Sequence, residues 1–134
     1  MNPVTKTKLG TSVRLSTNFD DAYARTIQAL KAEGFGVLTE INVKETLKNK
    51  LDVDFHPYKI LGACNPSLAY QALGAVPEVG LLLPCNVTIS EATEGVIEIG
   101  LVSPLSLLNI IENPVLKNVA EEAQARLERV AAAL

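Results

Sequence analysis

Two Cys-Asn dipeptides, Cys64-Asn65 and Cys85-Asn86, hold the residues of this chain best suited to chemistry. A thiolate is both a nucleophile and a soft ligand, and unpaired N–H groups at a helix N-terminus favour its formation. Cys64 closes the apolar run Tyr58 to Cys64, directly before Asn65 and Pro66, which read as the cap and first residue of a helix. Cys85 follows Pro84 at the start of another extended run. If those strand ends meet, Cys64, Asn65, Pro66, Pro84, Cys85 and Asn86 would line one small pocket, a thiol site for redox, nucleophilic or ligand-binding work. A plainer reading stands beside this one. Free cysteine packs as a small hydrophobe. Cys85 shares a strand face with Val87 and Ile89, and Asn65 is fully explained as a cap.

Other chemistries find less support. His56, Asp52, Asp54 and the two thiols could supply metal ligands, but no CxxC or HxxxH spacing groups them. We therefore expect no metal site, and no motif implies a cofactor. A single His and no GxSxG elbow leave nucleophilic hydrolysis without a constellation. The Gly-Phe-Gly at Gly34 to Gly36 lacks the phosphate-loop pattern. The carboxylates fall mostly in first helical turns or on helix faces, so no acid–base pair stands out.

The elements that must position these residues follow from hydrophobic period. Thr11 to Leu15 alternates as a half-buried strand. Asn18 caps a helix with Asp20 and Asp21 in its first turn and Phe19, Ala22, Tyr23, Ile27 and Leu30 on one face, and Gly34 stops it. Phe35 to Ile41 is apolar on both faces, which predicts a strand internal to the sheet. Asn42 and Glu45 suit a capping box. The helix they open has an inner face of Val43, Leu47 and Leu51, and Lys44, Lys48 and Lys50 lie on its solvated side. Tyr58, Ile60, Gly62 and Cys64 share one face of the next strand. Asn65-Pro66 opens a helix ending near Gly74, and Val76 to Leu83 reads as a turn or short helical segment. Cys85 to Ser90 and Val96 to Val102 form a hairpin turning at Glu91 to Gly95. Ser103-Pro104 opens a short apolar helix through Ile111. Asn113-Pro114 opens a long last helix whose stripe is Leu116, Val119, Ala120, Ala123, Leu127, Val130 and Leu134, with Glu122 and Arg126 paired outside. The order β-α-β-α-β-α-β-β-α-α predicts a single α+β domain over 1–134, with helices on one side of a mostly antiparallel sheet.

Composition narrows the partners. The 134 residues carry a net charge of −3 with scattered basic residues and no Trp, which argues against nucleic acid. No apolar run approaches the ~20 residues of a membrane span. The first ten residues lack a signal-peptide core, and two cysteines suit a reducing compartment. Together these predict a cytoplasmic protein.

The segments PYKILGACNP (57–66), LLLPCNV (81–87) and GFGVLTEINVKETL (34–47) resemble the bacterial and archaeal family called domain of unknown function 302. By motif the resemblance runs roughly from Lys8 to Ser103. It implies a compact α+β fold similar to the TATA-binding-protein-like class, with a sheet under a long helix. It implies no known activity, substrate or cofactor, and His56 is not part of its pattern. Two classes of function remain open. The first is a module that holds a small apolar or thiol-reactive ligand between the last helix and the sheet, or assembles as a homodimer, the apolar segment Leu105 to Ile111 or the sheet being its interface. The second is a thiol-dependent enzyme or redox protein using Cys64.

Overall fold

Among the described residues Asn or Ser opens every α-helix, and Pro often follows it. The computed structural model describes residues 2–134. In it, Asn18 Oδ1 accepts the Asp21 N–H at 2.8 Å and starts α1 (Phe19–Ala32). Asn42 Oδ1 accepts from Glu45 at 3.0 Å and starts α2 (Val43–Leu51). Asn65 Oδ1 accepts from Leu68 at 3.2 Å and starts α3 (Pro66–Ala75). Ser103 and Asn113 do the same for α4 (Pro104–Leu108) and α5 (Pro114–Ala133). Each cap satisfies a donor that the first turn leaves unpaired. A 3₁₀ helix, Pro77–Leu82, occupies the segment expected to turn.

The strands are β1 (Val4–Lys6), β2 (Gly10–Ser16), β3 (Gly36–Asn42), β4 (Tyr58–Cys64), β5 (Cys85–Thr93) and β6 (Val96–Val102). They form one six-stranded sheet in the order β1-β2-β6-β5-β4-β3, with every neighbouring pair antiparallel. Alternation along the strands sends Val13, Leu15, Leu61, Ala63, Val87, Ile89, Ile97, Ile99 and Leu101 to one face. That face is buried under Ala22 and Leu30 of α1 and Leu127, Val130 and Ala131 of α5. The opposite face is polar, and Ser12 donates to Glu98 at 2.9 Å across it. The fold is thus α+β, helices on one side and a long C-terminal helix spanning it. The N-terminal half of α5 belongs to a second apolar cluster, where Leu116, Val119 and Ala120 meet Ala72, Val79 and Leu108. Two clusters along one helix leave a junction between them, close to Ala123.

Several local expectations are corrected. β3 is an edge strand, not an internal one: Leu38 is 69% and Ile41 50% exposed. Its apolar residues on two faces mark partial cover rather than burial between neighbours. The register slips between Val37 and Thr39, so Leu38 bulges without a partner on β4. Leu51 is 65% exposed, and α2 buries no residue, so its apolar stripe is only half covered. β5 runs on to Thr93, which leaves Glu94-Gly95 as the turn, with Gly95 at φ +80°. A second slip, between Ser90 and Thr93, makes room for that extension. α4 stops at Leu108 rather than Ile111. The short β1 adds a sixth strand that three residues of local pattern do not announce.

Candidate functional site

Cys64 is the last residue of β4, held between a paired strand and a capped helix. It pairs with Gly36 of β3, while its neighbour Ala63 pairs with Cys85 of β5. The two thiols therefore come from adjacent strands, one register step apart. Both are half-buried and free. They line a cavity of about 310 Å³ at the junction of the two apolar clusters. The sheet end supplies Phe35, Leu38, Thr39, Ala63, Cys64 and Asn65. The segment entering β5 supplies Leu83, Pro84 and Cys85. Leu68, Ala69, Ala72 and Leu73 come from α3, and Pro104, Leu108, Val119 and Ala123 from α4 and α5. Apart from the thiols, only Thr39 and Asn65 bring polar side chains, and Asn65 already accepts the Leu68 N–H.

Of the six residues singled out in the sequence, Cys64, Asn65, Pro84 and Cys85 line this cavity. Pro66 does not; it is exposed at the first position of α3. Asn86 does not either. It is exposed on the opposite face of the sheet, lining a groove with Tyr58, Thr88, Ser90 and Glu98. Cys85 faces the helices, so by the period of two Asn86 faces away, whereas Cys64, which alternates with the inward Ala63, lines the cavity from the very end of β4. Asn65 stays with the site because it lies past the end of β4. His56 stacks on Phe55 with ring centroids 4.1 Å apart, in the loop before β4, and does not line the cavity. Among the described residues no three His, Cys, Asp or Glu side chains gather to hold a metal ion.

Burial governs the electrostatics. Removal from water pushes the Cys85 thiol up to about 11, and the nearby Cys64 adds to the effect. Cys85 is thus held as the neutral thiol, consistent with its place beside Val87 and Ile89. The sequence placed Val119 and Ala123 on the inner stripe of the last helix, but it did not mark Ala72 or single out these three as the far wall. The one signal for it is the small side chains in otherwise large-residue helix stripes, which leave space where two helices meet a sheet end.

Gly62 shapes the near wall. A Cβ there would strike the Thr39 hydroxyl and lie 2.7 Å from Cγ of Pro84. Glycine thus lets Pro84 lie over β4 immediately before Cys85. Gly62→Ala is expected to cost about 1–3 kcal/mol, as overpacking does, read as a lower urea midpoint. A loss below about 0.5 kcal/mol would mean that Thr39 and Pro84 yield freely.

A second groove, of about 660 Å³ between α4 and α5, is larger but holds neither thiol. The arrangement defines a class of α+β protein: an antiparallel sheet backed by helices, with an apolar cavity where the strand ends meet α3 and α5. The family model "Domain of unknown function DUF302" matches residues 11–134, and the chain belongs to that family. Among solved structures, an uncharacterized conserved DUF302 protein from Bacillus stearothermophilus is 34% identical to it, with a TM-score of 0.82. The match covers 91% of this chain and 94% of that one. No curated protein matches the chain.

Proposed function

We propose that this protein binds a small apolar ligand in the cavity beside Cys64 and Cys85. The observation that carries the reading is a volume of about 310 Å³ with almost wholly apolar walls. That volume falls at the lower end of the ~300–1,000 Å³ typical of small-molecule pockets. It would take about ten groups the size of a water, at ~30 Å³ each. Apolar walls favour a ligand over water, since a water needs two to four polar partners. The lining offers no carboxylate, imidazole or amine beside the thiols. A nucleophilic Cys64 would therefore lack a base within the cavity, and this ranks binding ahead of thiol catalysis.

The test uses a neutral apolar fluorophore, N-phenyl-1-naphthylamine, titrated with the full chain. The wild type is expected to bind and enhance its emission. Ala123→Phe projects a ring into the cavity and is expected to weaken binding at least about ten-fold, or 1.4 kcal/mol. Ala69→Leu on α3 fills the cavity from the opposite wall and should do the same, which keeps the test decisive if the first variant folds poorly. Absence of wild-type binding, or equal binding by well-folded variants, would overturn the reading.

A further inference from the structure

The cavity does not stand alone. A groove of about 620 Å³ runs between α1 and β3, and Phe35, Leu38 and Thr39 line both spaces. The barrier between them is therefore the start of β3, where Leu38 bulges without a partner and is 69% exposed. Swinging an unpartnered, solvent-facing side chain breaks no ladder pairing, and the neighbouring Gly36 has open space where a Cβ would stand.

Charge in the groove is one-sided. Its floor is Ile27, Phe35 and Val37, and its only charged residues are Glu40 and Lys31. Glu40 is engaged: Tyr23 Oη donates to it at 2.6 Å and Lys59 Nζ lies 3.4 Å away. The Tyr23 hydrogen bond, with Lys59 assisting, holds its carboxyl below the usual carboxylate range. Lys31 is exposed and, among the described residues, forms no ion pair or side-chain hydrogen bond. It sits in the last turn of α1, where the helix dipole favours a cation without neutralising it. The free charge in this groove is positive.

We infer that the ligand is an anionic amphiphile, a carboxylic acid with a chain of about ten carbons, whose tail fills the cavity and whose head lies at Leu38, facing the groove that Lys31 lines. The inference rests on the apolar-ligand reading and adds the head group and its partner. Chain length follows from the cavity: at ~30 Å³ per water-sized group, about 310 Å³ holds nine or ten methylenes. An exposed pair is worth little, so the head should tune affinity while the tail dominates it.

Displacement of N-phenyl-1-naphthylamine by decanoate, decanol and decyltrimethylammonium tests this. Decanoate is expected to compete about two- to five-fold better than decanol, the range of an exposed ion pair, and decyltrimethylammonium worst. Lys31→Gln should remove the preference for decanoate and leave decanol unchanged. Lys31→Arg should restore it, and added salt should shrink it. Equal competition by decanoate and decanol, or a preference that survives in Lys31→Gln, would overturn the anionic head while leaving the apolar cavity intact. Failure of the fluorophore and of all three amphiphiles to bind the wild type would instead overturn the cavity reading, and this inference with it.

Discussion

Leu127→Ala is expected to lower the unfolding free energy by about 2–5 kcal/mol, the range for large-to-small changes in a core. Leu127 is only 2% exposed and belongs to the main cluster, where α5 covers the sheet. Truncation removes the transfer free energy of the buried methyl groups and leaves a void that the sheet, tied by its hydrogen-bond ladder, cannot fully close. Val115, on the same helix and 42% exposed, serves as the control. Val115→Ala should fall within about ±0.5 kcal/mol. Urea denaturation measures both, with an unchanged slope showing that the unfolded state is not what moved. A loss under about 0.5 kcal/mol for Leu127→Ala would mean that α5 does not seal the sheet there.

What the sequence made legible follows from the range of the interactions that encode it. Caps act over three residues, so Asn18, Asn42, Asn65, Ser103 and Asn113 could be assigned to helix starts by inspection, and the structure shows each in that role. Periodicity acts within an element, so the inward residues of the hairpin and the stripe of α5 were equally plain. Neighbour relations in a sheet act over long separations. Nothing in Gly36–Asn42 says that the strand lies at an edge, and its apolar residues point as readily to an interior place. The bulge at Leu38 is set by pairing with β4 and is invisible in β3 alone. The site divides the same way. Cys64, Asn65, Pro84 and Cys85 mark strand ends and could be listened for locally, whereas Asn86 drops out through strand alternation and Pro66 through exposure on α3. Ala72 and Ala123 line the cavity because of what they lack, and a missing side chain carries no local signal. Gly62 is of the same kind: its need appears only when Thr39 and Pro84 arrive against it.

Cys85 is expected to resist alkylation in the native protein by at least about ten-fold relative to the urea-unfolded chain at neutral pH. Its thiol is raised from an ordinary value of 9.0 to about 11, by burial first and by Cys64 second. Two pH units cut the thiolate fraction about 100-fold. The less acidic thiolate is intrinsically more nucleophilic, and with a Brønsted slope of about 0.4–0.5 that returns somewhat under ten-fold. The fraction wins, and restricted access through the apolar cavity adds to it. Cys64, at the strand end beside the α3 cap, is expected to label first. Iodoacetamide across a pH series, with mass spectrometry to assign the site, reads both rates, and Cys64→Ser isolates that of Cys85. The same shift has a consequence for stability. Between about pH 9 and 11 the unfolded chain releases the Cys85 proton while the native protein keeps it. The native state then binds more protons, so stability falls as pH rises through that window and is unaffected by this group below it. Cys85→Ala should flatten that part of the pH profile. Labelling of Cys85 as fast as in urea, or an alkaline profile that Cys85→Ala leaves unchanged, would show that the thiol is not held neutral by the cavity wall.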